Sequence, residues 1–325
     1  MSKILTISIA AYNVEDSIDD TLKSLIVDEE TMSKMEVIIV DDGSKDNTAL
    51  KANEYVKLYP DTFKVISKEN GGYGSTINTS VLEAKGKYFK QLDGGDKYVS
   101  DNLKDFVDYL SNTDSDIVVC PHIKRYLLDD RDEIEDGYQE YASKGAMNIS
   151  DVSFDKRLWM HGIAFKTEVW NKLGREIPTH CFYTDMEYVL YPFVHAKTIS
   201  FYDKPIYLYF LQCEGQSVSL EGIKKHFDDS IRMMWDLCDL YNDLLTKDLD
   251  EGKDRIFEMS VNHAISFVYT SFLSIDEKEI KELKELDEKI KEKYPDIYQK
   301  SMKVKRLLLM RKTGFKMRKM YQKMI

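Results

Sequence analysis

Short β-branched runs alternate with amphipathic stretches through the first hundred positions. Residues 4–10, 36–40, 63–67 and 88–92 read as strands, and residues 16–25, 46–58 and 75–84 as helices. That alternation predicts βα units around a mainly parallel sheet. Polar turn formers follow three of the strands: Tyr12-Asn13, Asp41-Asp42-Gly43-Ser44 and Asp93-Gly94-Gly95-Asp96. Ligands of open α/β sheets gather at such carboxyl ends.

Further along, residues 116–120, 198–201 and 206–211 read as strands and 182–194 as a helix. The acidic stretch 128–140 suits a surface hairpin, a lid or a plain solvated loop. Beyond Gly222 the period lengthens to that of long helices, expected at 223–246, 254–273, 276–293 and 296–321. The expected boundary lies near 220. It separates a domain over 1–220, with a nucleotide-binding half (1–100) and an acceptor half (101–220), from a helical region over 221–325.

Composition narrows the class. A chain of 325 residues that is 43% hydrophobic and 12% aromatic can bury a substantial core and is not a disordered tail. Four cysteines without CxxC spacing argue against a disulfide framework or a zinc site, and suit a reducing cytoplasm. No uninterrupted apolar run approaches the length of a spanning helix, so neither secretion nor membrane insertion is expected. A net charge of -11 argues against general nucleic-acid binding.

The charge is uneven, however: residues 303–325 hold nine basic side chains and no acidic one. Met317, Met320, Tyr321 and Met324 recur at helical spacing beside Arg318, Lys319 and Lys323, and Leu307 to Met310 form a second apolar cluster. This tail could rest peripherally on an anionic membrane surface, or pack as a terminal helix against the domain or a second copy. The long C-terminal helices could also pair two copies into a homodimer.

Three strings could carry chemistry. Val40 to Thr48 ends a buried strand on two carboxylates, which either cap the next helix or accept hydrogen bonds from a base or a ribose. Glu69 to Ser75 is glycine-rich and opens a helix, either as a phosphate cradle or as a flexible turn. Asp93 to Asp96 puts two carboxylates three residues apart, a turn that could also share a divalent cation. A GxGxxG after the first strand and a GxxxxGK[ST] anywhere are both missing, which weakens the dinucleotide and P-loop readings.

Together, and in this order, the strings resemble family 2 of the glycosyltransferases. That family carries P-x-Y-N, V-D-D-G-S-x-D-x-T, an N-x-G segment and A-x-G-x-Y ahead of a D-x-D. The matching residues are Ala10 to Asn13, Val40 to Thr48, Glu69 to Asn78, Ala84 to Tyr88, and Asp93 to Asp96. Phe182 to Tyr188 is similar to the family's acidic segment. Pro205 to Tyr209, with Gly215 to Ser219, is similar to the segment closing the site in the bacterial capsule and exopolysaccharide branch.

The resemblance implies a GT-A fold with a C-terminal helical appendage. It also implies an inverting transfer of a sugar from a UDP-sugar to a cell-surface glycan or a polyprenyl-linked acceptor, in the cytoplasm or on the inner face of the membrane. The nucleotide would lie against Ala10, Tyr12, Asn13, Asp41, Asp42, Gly43, Asn70, Gly71, Asp93 and Gly94. Tyr12 would line the uracil pocket, and Asp42 would accept from the base. Asp185 would be the general base, with His161, Glu187 and Ser217 on the acceptor side. Mn²⁺ or Mg²⁺ would sit on Asp93 and Asp96.

One departure stands out: the family's second metal-motif carboxylate is Gly95 here. Asp96 could shift in to ligate the cation, the glycine could be an engineered change, or the chain could bind nucleotide sugar with impaired turnover. A Rossmann-type oxidoreductase shares only the βα alternation and lacks the glycine fingerprint.

Overall fold

The computed structural model describes residues 2–212, 219–247, 249–275 and 279–316. They form two compact units. One runs to Val152 and resumes at Leu158; the other takes Ser153–Arg157 and the described residues from 219 onward.

In the first unit, β1 (Leu5–Ala11), β2 (Met35–Asp41), β3 (Phe63–Ser67) and β4 (Tyr88–Asp93) pair in parallel in the order β3-β2-β1-β4. Helices α1 (Ile18–Lys23) and α2 (Glu29–Lys34) link β1 to β2, α3 (Thr48–Leu58) links β2 to β3, and α4 (Tyr73–Glu83) links β3 to β4. Six of the seven β1 residues and all seven of β2 are buried, as a parallel sheet covered on both faces requires. The register sets Ala10 beside Asp93 and Ala11 beside Asp41, so the polar strand ends lie side by side.

After β5 (Lys97–Tyr98), α5 (Ser100–Asn112) buries Leu103, Phe106, Val107 and Leu110. The remaining strands are β6 (Ile117–Val119), β7 (His122–Tyr126), β8 (Arg131–Glu135), β9 (Met147–Asn148), β10 (Ile163–Lys166), β11 (Thr198–Phe201) and β12 (Tyr207–Leu211). Helices α6 (Thr167–Trp170) and α7 (Asp185–His195) follow β10. The main sheet continues past β4 as β10-β6-β11-β9, with β10 antiparallel to both neighbours. A second sheet runs β5-β12-β7-β8, and the acidic stretch 128–140 supplies part of its β7–β8 hairpin.

The second unit is helical: α8 (Leu220–Lys225), α9 (Phe227–Leu245), α10 (Glu251–Ser274), α11 (Ile280–Lys293), α12 (Pro295–Ser301) and α13 (Lys305–Lys312). The single helix expected over 296–321 is broken. The chain turns after α12, and Arg311 reaches back to donate from Nη1 to Ser301 Oγ (2.7 Å) and from Nε to Asp287 Oδ1 (2.7 Å). Leu307 and Met310, expected in an apolar cluster free to meet a membrane, are fully buried in this unit. Met317, Met320, Tyr321 and Met324 lie outside the described residues. No described helix is long and apolar enough to cross a membrane.

Candidate active site

The carboxyl ends of β1, β2 and β4 floor two cavities. The first, of about 560 Å³, is lined by Tyr12, Asp41, Gly43, Lys68 and Asn70 among others. The second, of about 540 Å³, is lined by Ala10, Tyr12, Asn70, Tyr73, Asp93, Gly94 and Gly95 and by His180 to Phe182. Tyr12 and Asn70 belong to both, and the Tyr12 side chain is 49% exposed, an open aromatic face on which a flat ring could stack. Gly43 has φ +78°, and a Cβ there would meet Asn70 N at 3.0 Å, so the turn under the first cavity needs glycine. Asn13 lines neither cavity. Its backbone N–H donates to Ser44 Oγ (3.0 Å) and its Oδ1 accepts from Lys45 N (2.8 Å), which binds the two turns together.

The paired carboxylates after β2 divide their work differently from expectation. Asp42, expected to accept from the base, is buried and already accepts from Gly71 N (2.9 Å), Gly72 N (2.8 Å), Lys68 Nζ (2.7 Å) and Ser75 Oγ (3.3 Å). Asp42 thus fastens the glycine loop, and it also lines the second cavity. Gly71, expected against the nucleotide, spends its own N–H on Asp42 Oδ1. Asp41 accepts from Ser44 N (3.1 Å) through Oδ1, and its second oxygen has no hydrogen bond among the described residues.

At the inner end, Asp93, Asp96 and His161 bring one ligand atom each within 4.8 Å of one another. Tyr73 donates its phenol proton to Asp93 Oδ1 (2.5 Å). Tyr207 donates to Asp96 Oδ2 (2.7 Å), and Phe210 N donates to Asp96 Oδ1 (2.9 Å). Burial pushes the Asp93 carboxyl above the usual carboxylate range, and the nearby negative charge of Asp185 pushes the same way against the Tyr73 hydrogen bond. Burial raises Asp96 too, followed by the charge of Asp93. Carboxylates crowded and dried in this way favour either a shared proton or a cation.

His161, expected on the acceptor side, is 7% exposed and belongs to this acidic corner. Glu187, expected beside it, is fully buried in α7, so it is not open to an acceptor. Asp185 is the first residue of α7 and partly exposed, where the helix dipole favours a carboxylate. Ser217 lies outside the described residues.

A strap over residues 177–183 covers the second cavity. Asn78 clips it by donating to Ile177 O (2.8 Å) and accepting from Ile177 N (2.9 Å), and His180 N donates to Gly71 O (2.6 Å). Sequence reasoning missed the Tyr73 and Tyr207 contacts. Their signal was only positional: Tyr73 sits in the glycine string and Tyr207 in the Pro205–Tyr209 segment.

A mixed sheet with its ligand cavities at the carboxyl ends of parallel strands, followed by helices, is the GT-A arrangement. The sequence profile described as "Glycosyl transferase family 2" matches residues 6–171, just over half of the chain. The chain belongs to glycosyl transferase family 2. It is 32% identical to the uncharacterized glycosyltransferase EpsJ of Bacillus subtilis over 125 residues, 38% of this chain and 36% of EpsJ. It is 29% identical to the putative glycosyltransferase EpsH of the same organism over 171 residues, 53% of this chain and 46% of EpsH. The match thus spans less than half of either relative. Among solved structures, S. aureus TarS 1–349, crystallised with UDP-GlcNAc, superposes with a TM-score of 0.70 at 20% identity, covering 99% of this chain and 90% of that fragment.

Proposed function

We propose that this protein transfers a sugar from a UDP-sugar to an acceptor hydroxyl with inversion, and that Asp185 is the base. The observation that carries the reading is the pair of cavities joined through Tyr12 and Asn70, with Asp93 at the inner end and the charge of Asp185 acting on it. The UDP-GlcNAc bound to TarS, a protein of the same fold, supports uridine as the nucleotide.

In this reading the base stacks on Tyr12, and Asp41, rather than Asp42, accepts its imide N–H. The diphosphate runs past Gly94 toward Asp93. A divalent cation, Mn²⁺ or Mg²⁺, held by Asp93 and Asp96 would offset the charge that builds on the leaving diphosphate; their oxygen donors and close approach suit it. Asp185 takes the proton of the acceptor hydroxyl while that oxygen bonds to the anomeric carbon. The bond from that carbon to the diphosphate oxygen breaks, and UDP leaves with the electron pair. We favour a cell-surface glycan or lipid-linked saccharide as acceptor, with residues 317–325 as the contact to an anionic membrane face.

Calorimetric titration of UDP into the chain and into Gly95→Asp, with and without Mn²⁺, tests the reading. A Cβ at residue 95 would meet only Ser17 Oγ among the described residues, at 3.8 Å, so a side chain can start there without a clash. Cation-dependent UDP binding by the unaltered chain is the expected result, and absence of UDP binding overturns the proposal. Gly95 favours a second reading, a nucleotide-sugar-binding protein with impaired turnover. Cation dependence confined to the variant would select it.

A further inference from the structure

We propose that His161 is the third ligand of the cation site, standing in for the carboxylate that Gly95 lacks. The inference rests on the nucleotide-sugar reading for the purpose of the cation, but the ligand set itself is defined by three side chains whose donor atoms converge within 4.8 Å.

Three features argue that this convergence is built rather than incidental. First, the imidazole is held on two sides: it stacks on Tyr209 (centroids 4.1 Å apart, planes at 22°) and meets Tyr207 edge-on (4.8 Å, 78°). Its backbone is fixed as well, because the fully buried Lys90 ammonium donates to His161 O (2.6 Å) and Ile163 O (3.2 Å). Second, each carboxylate has its own phenol, Tyr73 on Asp93 and Tyr207 on Asp96. Metal ligands are oriented by outer hydrogen bonds of this kind. Tyr207 therefore serves two of the three ligands at once, one through its hydroxyl and the other through its ring. Third, one of the three ligands, Asp93, lines the 540 Å³ cavity where a diphosphate would lie, with Asp96 and His161 buried behind it.

The donor set has a chemical consequence. Two carboxylates and an imidazole suit Mn²⁺, Co²⁺ or Zn²⁺, whereas Mg²⁺ and Ca²⁺ prefer oxygen alone. An all-carboxylate motif would discriminate less. His161 thus trades charge for selectivity, giving a site that prefers transition metals.

Electron-spin-echo spectroscopy of Mn²⁺ on the full chain with UDP reads bound nitrogen directly, and UDP calorimetry on the same samples reports the nucleotide site separately. We expect histidine nitrogen modulation, verified by ¹⁵N-histidine labelling of the unaltered chain, and Mn²⁺ binding at least about tenfold tighter than Mg²⁺ binding. His161→Gln should abolish the modulation and weaken Mn²⁺ about tenfold or more while the circular dichroism stays unchanged. Mn²⁺ bound without nitrogen modulation, modulation that survives in His161→Gln, or no Mn²⁺ binding at all overturns the inference. If UDP still binds in those cases, the nucleotide-sugar reading stands. If the variant fails to fold, the labelled unaltered chain still decides whether a histidine is bound.

Discussion

The phenol of Tyr73, the residue that directly follows the two glycines held by Asp42, lies 2.5 Å from Asp93 Oδ1. The first residue of α4 therefore sets the orientation of the carboxylate at the end of β4. Tyr73→Phe keeps the ring and removes only the donor. A hydrogen bond to a charged group contributes about 1.5–3 kcal/mol. UDP affinity in the presence of Mn²⁺ should therefore fall about tenfold, with the melting temperature lowered by a few degrees. Calorimetry with and without the cation checks this, and an equal loss without Mn²⁺ would contradict it.

Asp41 and Asp42 are adjacent and should behave oppositely. Asp42→Asn turns an NH₂ group toward donors that now point at a carboxylate, so the first unit should lose about 1–3 kcal/mol of stability. Asp41→Asn keeps an acceptor for Ser44 N yet removes the charge facing the first cavity. It should leave stability intact and weaken UDP about tenfold. Denaturant titration and UDP calorimetry on both variants separate the two roles.

Asp185→Asn should preserve UDP binding and slow transfer by about 10² or more, the usual scale for loss of a general base. Single-turnover transfer from a UDP-sugar identified by a donor screen is the measurement. An unchanged rate would assign the base elsewhere.

In the helical unit, the ion pair of Arg311 with Asp287 is nearly water-free, with side-chain exposures of 6% and 9%. Asp287 also accepts from Tyr269 (2.5 Å) and Tyr298 (3.2 Å). Arg311→Met strands that carboxylate and should cost about 3–5 kcal/mol. Asp287→Asn added to it should recover part of the loss. Guanidinium unfolding followed at 222 nm reads both.

Most of the parallel sheet was legible because β-branched runs buried on both faces leave a plain pattern. Residues 63–67 and 198–201 coincide with β3 and β11. The helix Ser100–Asn112 carried an equally plain signal in Leu103, Phe106, Val107 and Leu110, which a reading centred on strands passes over. The acidic turn after β4 was legible as a candidate, because two carboxylates three residues apart at a strand end stand out in the sequence. His161 was not legible in that role. It lies 65 positions beyond Asp96, and only the pairing of β10 with β4 and of β7 with β12 brings its turn to the corner. The second role of Asp42 was hidden for a related reason: sequence shows a carboxylate but not the four donors that converge on it.

A Cβ added at Gly74 would lie 2.0 Å from Pro178 O, a backbone atom of the strap. The height of the strap above the second cavity is therefore set by a missing methyl group. The two segments are bound to drift together through descent: position 74 cannot leave glycine unless the strap is rebuilt, and a longer strap would release position 74. Homologues that accept bulkier donors should differ here in pairs, and a library that varies residues 74 and 177–183 jointly has more room to change donor size than one that varies either alone.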